Sequence, residues 1–211
     1  MSSLDSATAG ATVPAEASPD DALLARAMQA ADGDTAAVVD VLRAAAGPVH
    51  RAVVTVLAPG HPELEDVVQQ ALVGFVQAVP RFRGECHPIY YACRIAIRIA
   101  VAARRRSTVL AAQRAEIGGT LGLLAGPSEC PATLSGASRR RALVRELLDE
   151  LPAYLAETVA LRIMLGYSLV EVAEITGAPV NTVRSRLRIA KTALRERIAR
   201  DPLLVDELGQ A

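Results

Sequence analysis

The sequence predicts an all-α protein with two small helical domains joined by a flexible linker, the C-terminal one containing a helix-turn-helix. Apolar residues recur at intervals of three and four in many segments, and no segment alternates over the length of a useful strand. Hydrophobic residues fill 51% of the 211 positions, which excludes global disorder, and the 3% aromatic content without Trp suits small helical units. Residues 108–137 carry Gly and Pro breaks and few charges, as linkers do.

The first domain is predicted over residues 20–107. The preceding residues 1–19 are rich in Ser, Ala, Thr and Pro without periodicity, and we expect a disordered tail there. Asp20 or Asp21 would cap the first helix, and Gly47-Pro48 would close the second because proline cannot continue a helix. The first three helices are predicted to end at Ala30, to run from Thr35 to Ala46, and to end near Leu57.

The strongest amphipathic pattern of this domain lies over Leu64–Val79, and Pro80 ends it. Its two faces are cleanly separated, so one should pack on the domain and the other should remain available. The buried face is predicted to hold Leu64, Val67, Val68, Ala71, Leu72, Phe75 and Val79, and the polar face Glu65, Asp66, Gln69 and Gln70.

An arginine-bearing helix is predicted next, from about Ile89 to Arg105, with a weak separate helix near Val109–Ile117. The C-terminal end of the arginine-bearing helix is basic, with Arg104-Arg105-Arg106, and positive charge there suits the negative pole of the helix dipole. Tyr91, Ile95, Ile99 and Ala102 are predicted to face inward, and Arg94, Arg98 and Arg105 share another face.

The second domain is predicted over residues 138–200, followed by an acidic tail over residues 201–211. A Leu-rich helix starts near Ser138 and ends at Pro152. Another helix, over residues 156–165, stops at Gly166. The stretch SLVEVAEITGAPVNTVRSRLRIAKTALR then reads as two short helices with a tight turn between them.

Small and rigid residues at fixed offsets give that turn its geometry. Ala173 would let two helices cross closely, Gly177 can take the positive φ that the turn needs, and Val183 would fill the angle between the helices. Pro179 cannot continue the first helix, and Asn181 is a good N-cap for the second. These features predict a helix-turn-helix.

The second helix of that motif separates its apolar and basic residues. Val183, Leu187, Ala190, Leu194 and Ile198 form one stripe, and Arg184, Arg188, Lys191 and Arg195 follow it one residue later, about 100° round the helix. A helix with donors on its outer face is what base readout in the major groove requires. A solvated amphipathic helix is the simpler alternative, and N-capping would explain Asn181 without DNA.

The zero net charge of the chain hides an uneven distribution. Residues 1–80 hold three Arg against ten Asp and Glu, whereas residues 81–200 hold 20 Lys and Arg against ten Asp and Glu. The acidic tail adds three negative charges. The cationic part is the part that should meet phosphate, and the acidic part either avoids DNA or meets a basic protein.

Other classes of protein find little support in the sequence. No Ser/His/Asp, P-loop or paired-carboxylate arrangement stands out, so we expect neither an enzyme nor a cofactor. Cys86, His87 and Cys93 lack a fourth ligand, and we expect no metal site. Cys130 brings the cysteines to an odd number without a CxxC pair. The cysteine pattern indicates reduced thiols. The sequence shows neither a secretory signal nor an apolar run of membrane length, so we expect a cytoplasmic protein without a membrane partner.

Two segments together resemble a known family. LEDVVQQALVGFVQAVPRFRGE with RIAIRIAVAARRRS, over residues 64–85 and 94–107, is similar to region 2 of sigma-70-type sigma factors. Residues 147–198, with ELP, GYS and PVNTVRSRL, resemble region 4. The order, linker and length resemble the extracytoplasmic-function (ECF) group, which has only these two regions. The resemblance implies a transcription initiation factor that binds core RNA polymerase, recognises promoter DNA and helps to open it.

The resemblance also implies roles for individual residues. The polar face of Glu65, Asp66, Gln69 and Gln70 falls where the family docks on the clamp helices of the polymerase β′ subunit, although an acidic residue is usual at Gln70. The β flap of the polymerase and an anti-sigma factor are the other protein partners implied. For DNA, Arg94, Arg98, Arg104 and Arg105 would approach the −10 element, and Asn181, Thr182, Arg184, Ser185, Arg188 and Lys191 the −35 element.

The main departure from the family lies in HPIYYACRIAIR, residues 87–98, where the family usually shows a Phe and a Trp. Tyr91 stands where the Trp would be, and Pro88 stands near the Phe. Strand opening needs an unstacked base held on an apolar or aromatic surface, and Tyr90 and Tyr91 are the aromatic candidates. Helical spacing places Tyr91 in line with Ile95 in the core, so Tyr90 is the better candidate for stacking.

Two alternatives remain open from the sequence. A helix-turn-helix regulator could bind DNA through residues 138–200 and use a helical N-terminal domain for interaction, without opening promoters. A pure protein-interaction module could have lost promoter melting through its departures in residues 86–98. Transcription from a matched promoter with purified core polymerase would separate these classes.

Overall fold

The computed structural model describes residues 18–117 and 136–200. These residues form eight α-helices, a 3₁₀ turn at Val79–Arg81 and a π-helical turn at Ala160–Met164, and no strand lies among them, so the all-α prediction is confirmed. The tail, most of the linker and the acidic C-terminus that we predicted lie outside the described residues. The helices are α1 Pro19–Ala31, α2 Thr35–Leu57, α3 Leu64–Ala78, α4 Pro88–Ile117, α5 Gly136–Glu150, α6 Ala153–Val159, α7 Leu169–Thr176 and α8 Val180–Ala199.

Two predictions about helix α1 and helix α2 were wrong. Ser18, rather than Asp20 or Asp21, caps α1, because its side chain accepts from the Asp21 amide at 3.3 Å. Helix α2 runs through Pro48 to Leu57 as one helix. The clash that a proline imposes on the preceding residue is reduced at Gly47, which has no Cβ. Buried residues on both sides of Pro48, such as Ala45 and Val49, then stabilise the continuous helix through their packing in the core.

Helix α3 has the two faces that the sequence predicts. Val67, Val68, Ala71 and Phe75 are buried, and Leu64 and Leu72 are half-buried against the same core. The polar residues on the opposite face are all exposed. The N-terminal unit is therefore a bundle in which α2 and α4 pack centrally and α3 covers them on one side.

Helix α4 is longer than predicted, and its buried face is different. It continues without a break through the segment that we had predicted to be a separate weak helix. Ala102, predicted to face inward, is exposed, whereas Ala96, Ala100 and Ala103 are buried. The reason is that α4 is covered from two sides, by α2 and α3 and also by the C-terminal unit. The residue periodicity of α4 alone cannot predict that the C-terminal unit also packs on it.

In the C-terminal unit, which comprises α5 to α8, α6 and α8 pack together, α5 contacts α6 and α7 contacts α8. Its core is built mainly by Leu148, Leu155, Leu161, Val172 and Ile175, which are buried. The π-helical turn that follows α6 leads to Gly166, whose φ of +79° lets the chain reverse into α7. No helix within the described ranges is long and apolar enough to cross a membrane.

Candidate nucleic-acid interface

Helices α7 and α8 form the predicted helix-turn-helix. Helix α7 begins with a capping box, in which the Ser168 side chain accepts from the Glu171 amide and Glu171 accepts from the Ser168 amide. Gly177 ends it with φ 63° and ψ 27°, the left-handed conformation that the sequence predicts. Val183 is fully buried between the two helices. The motif therefore has the geometry inferred from its small residues.

The predicted N-cap of α8 was wrong. The helix begins at Val180, directly after Pro179, so Asn181 lies in its first turn. The exposed Asn181 side chain accepts a hydrogen bond from Arg184 at 3.1 Å. Since capping does not occupy Asn181, its amide remains on the outer surface beside an arginine.

The outer face of α8 is cationic and open. Arg184, Arg188 and Lys191 are exposed, and so is Thr182, whereas Ser185 is half-buried. The apolar stripe beneath them is confirmed, because Val183, Leu187 and Ala190 are buried and Leu194 and Ile198 half-buried. The basic side chains border a groove of about 740 Å³ whose lining also includes Arg162, Ile163, Leu169, Leu187, Thr192 and Arg195.

Arg162 also lines this groove, although the residue spacing along α8 could not predict it. It lies in the π-helical turn, and its guanidinium donates to the Tyr167 carbonyl at 2.7 Å, which holds it beside α8. No sequence signal distinguishes it from an ordinary surface arginine.

The arginines of α4 are placed differently from those of α8. Arg98 is exposed, but three others are half-buried against the C-terminal unit. Arg94 Nε lies 3.7 Å from Glu157 Oε1, and Arg104 Nε lies 2.9 Å from Asp149 Oδ1. Arg105 donates to the Leu151 carbonyl. The sequence grouped these arginines correctly along one helix, but it gave no indication of these partners.

The two candidate tyrosines occupy different surroundings. The Tyr91 ring packs on Phe75 and Phe82, with centroids 6.3 and 5.4 Å away, at the edge of the core. The Tyr90 hydroxyl donates to Glu171 Oε1 at 2.6 Å, and its ring meets Tyr167 edge-on at 5.5 Å. The bond to Glu171 raises the pKa of Tyr90 to about 12, and the same bond lowers the pKa of the Glu171 carboxyl. Tyr90 is therefore held by the C-terminal unit.

The residues considered for a metal site in the sequence have other contacts. His87 Nδ1 accepts from the Ile89 amide at 3.4 Å, and its Nε2 lies 3.5 Å from Asp20 Oδ1. The buried Cys93 accepts from the Tyr167 hydroxyl at 3.7 Å. Across the two described ranges, no group of three or more His, Cys, Asp or Glu is arranged to hold a metal ion.

The face predicted to meet the polymerase lies on α3. Glu65, Asp66, Gln69 and Gln70 are all exposed, and the first two lie in the first turn of the helix. Gln70 also borders a small cleft against α4, which includes Arg98 and Arg106. The C-terminal end of the face therefore adjoins the basic surface of α4.

Comparison with known proteins identifies both units. Residues 41–109 match the family described as sigma-70 region 2, and residues 141–194 match sigma-70, region 4. The ECF RNA polymerase sigma-E factor of Escherichia coli (strain K12) is 31% identical over 145 residues, covering 64% of this chain and 74% of that protein. The chain belongs to the ECF sigma factors of the sigma-70 family. The sigma-E factor of Salmonella typhimurium (strain LT2) is 30% identical with the same coverage.

Membership of this family gives the two units their functions. This sigma factor binds core RNA polymerase and directs it to promoters, with region 2 serving the −10 element and region 4 the −35 element. The region 2 match covers much of α2, all of α3 and most of α4, and the region 4 match covers the helix-turn-helix. The family resemblance inferred from the sequence is confirmed.

A solved structure shares the fold. CnrH, in complex with the cytosolic domain of CnrY, matches with a TM-score of 0.52 and 21% identity, covering 86% of this chain and 99% of that one. At this level of identity the match supports the helical architecture alone. The architecture of two helical units is thus one that a solved protein adopts.

Proposed function

We propose that α8 reads the −35 element through Arg184 and Arg188, with Lys191 on the DNA backbone. The observation that carries this assignment is the open cationic face of α8 on a correctly formed helix-turn-helix. Guanidinium groups pair bidentately with guanine in the major groove, while a lysine contributes a point charge. Asn181, Thr182 and Ser185 complete the surface at the N-terminal part of the helix, which is the part that enters the groove.

We further propose that the arginine surface of α4 serves the −10 element. Arg94, Arg98, Arg104 and Arg105 span about three turns of one helix, a length that suits successive backbone phosphates. Tyr90 precedes them and is the aromatic group for an unstacked base, with Tyr91 supporting it from the core. The contacts of Tyr91 with Phe75 and Phe82 support that division of roles.

The location and the remaining partners of the protein follow from its proposed role as an initiation factor. We propose that the protein acts in the cytoplasm without catalytic chemistry of its own, as an initiation factor does. An anti-sigma factor is a further proposed partner, as the family resemblance implies. The β flap is the proposed polymerase contact of region 4.

The exposed acidic end of α3 supplies a direct test of polymerase docking. Asp66→Arg reverses a charge on the proposed contact face, and like charges across an interface cost several kcal/mol. We expect affinity for purified core polymerase to fall by about tenfold or more, which corresponds to 1.4 kcal/mol. Fluorescence anisotropy of the labelled full chain measures this directly.

Asp32→Arg is the matched control, because Asp32 is an exposed acid of the same unit that lies at the end of α1 rather than on α3. It should bind core polymerase like the parent. Equal loss in both variants would show a general charge effect, and unchanged binding by Asp66→Arg would remove the α3 face from the interface. Circular dichroism checks that both variants keep their helical content.

A further inference from the structure

A cavity of about 520 Å³ opens where the end of α2, helix α5 and the π-helical turn meet. Its volume lies within the range of about 300–1,000 Å³ that is usual for small-molecule sites. Apart from Ile163, which also borders the groove beside α8, its lining residues belong to none of the surfaces proposed for polymerase or DNA. The apolar part of the lining consists of Val54, Pro59, Val144, Ile163 and Met164.

Two arginines one helical turn apart on α5 supply the charge of this cavity. Arg145 is half-buried, and its Nε donates to the Thr55 carbonyl at 2.9 Å at the end of α2. The other N–H groups of Arg145 have no hydrogen-bond partner in the part of the chain that the structure describes. Arg141 is exposed and forms neither a hydrogen bond nor an ion pair with residues of the described ranges.

The positive charge of the cavity is not compensated by an acid. Among the described residues that line it, none is Asp or Glu. Burial lowers the pKa of Arg145, and the nearby Arg104 and Arg141 lower it further, yet arginine stays protonated in proteins. Arg104 has a carboxylate of its own, since its Nε lies 2.9 Å from Asp149 Oδ1. The uncompensated charge therefore belongs to Arg141 and Arg145, and a bound anion would stabilise both.

The rest of the lining offers little to a second polar group. The Thr55 hydroxyl already donates to the Arg51 carbonyl at 2.7 Å, and the Thr55 carbonyl accepts from Arg145. The walls are aliphatic, and the flexible Met164 side chain can adapt to the shape of a ligand. No aromatic ring lies among the described lining residues to stack on a nucleobase. The lining therefore favours one anionic group on an aliphatic body.

We propose that this cavity binds a small aliphatic carboxylate. Arg141 and Arg145 hold the carboxylate through charge-assisted hydrogen bonds, and the aliphatic body lies against Val144 and Ile163. The end of α2 belongs to the region 2 match, whereas α5 and the π-helical turn belong to the region 4 match, so the bound ligand contacts both. This ligand site goes beyond the proposed function and does not depend on it.

Isothermal titration calorimetry of the full chain with sodium octanoate tests the site, with octanamide and inorganic phosphate as comparison ligands. We expect one saturable site for octanoate, with a Kd below about 1 mM. Octanamide has the same chain without the charge and should bind about tenfold more weakly. Phosphate should also bind more weakly than octanoate, because it lacks the apolar body.

Three results of these titrations would contradict the proposal. Absence of saturable octanoate binding would overturn the site itself. Equal affinity for octanamide would overturn the role of the two arginines, and phosphate binding as tight as that of octanoate would overturn the role of the aliphatic walls.

Two variants establish where the ligand binds. Val144→Glu places a carboxylate three residues after Arg141 on the same face of α5, so it should occupy the arginines and abolish octanoate binding. Arg141→Gln should weaken octanoate binding about fivefold or more. Arg114→Gln is the matched control, because Arg114 is also an exposed arginine but lies on α4, outside the cavity.

The control should bind octanoate like the parent, and circular dichroism checks that all three variants keep their helical content. Parent-like affinity of both Val144→Glu and Arg141→Gln would overturn the assignment to this cavity. An equal loss in Arg114→Gln would overturn it as well, since it would show a general charge effect. The titrations involve neither polymerase nor promoter, so failure of the proposed function would appear separately, as absent transcription.

Discussion

Arg188→Ala is expected to lose most of the preference for a cognate −35 sequence over a scrambled one. The side chain is exposed on the outer face of α8, beside Arg184 and above a buried apolar stripe. Because nothing in the core depends on it, the substitution should leave the fold unchanged. A bidentate arginine–guanine pair contributes about 1–3 kcal/mol of discrimination, which is roughly a 5- to 150-fold change in the affinity ratio. Competition binding with the two duplexes measures that ratio.

Lys191→Ala is the companion variant that separates base readout from phosphate contact. If Lys191 holds a phosphate, its loss should weaken both duplexes alike and lower the salt slope by about one unit. Arg184→Ala should behave like Arg188→Ala. Unchanged preference after both arginine substitutions would rule out direct readout by α8.

Tyr90→Ala is expected to slow promoter opening while duplex binding stays near the parent value. Stacking of one base on an aromatic ring contributes about 1–3 kcal/mol, so its loss should reduce the permanganate reactivity of promoter thymines in the complex with polymerase. The Tyr90 hydroxyl donates to Glu171 in this structure, so the assay uses the polymerase complex rather than the free chain. Tyr90→Phe keeps the ring and should open promoters like the parent.

Tyr91 provides the contrasting substitution. Its ring contacts Phe75 and Phe82 at the edge of the core, and Tyr91→Ala should lower thermal stability. Normal opening by Tyr90→Ala, or no opening by the parent itself, would contradict the role of this segment in melting. The second result would favour the interaction-module alternative considered for residues 86–98.

The sequence predicted well those features that depend on local chemistry. The apolar periodicity of α3 and α8 identified their buried faces, because each packs mainly through one face. Gly177 takes the left-handed conformation since the tight turn requires it. These inferences needed only spacing and the conformational preferences of single residues.

Features that depend on distant contacts were predicted poorly. Pro48 was expected to end a helix, but Gly47 reduces the local clash and the core on both sides favours continuity. Asn181 was expected to cap α8, but the helix begins at Val180, two residues before the start that such a cap would give. The partners of Arg94 and Arg104 lie more than forty residues away, and spacing within α4 carries no information about them. Tertiary packing decided the continuity of α2 and the partners of the α4 arginines.

The central claim is that this chain directs polymerase to promoters through α4 and α8. Run-off transcription with purified core polymerase and a matched promoter tests it most directly, with core enzyme alone and the Asp66→Arg variant as controls. We predict a specific transcript with the parent, none with core enzyme alone, and a reduced amount with Asp66→Arg. No transcript from a parent protein that still binds both core polymerase and promoter DNA would contradict the claim.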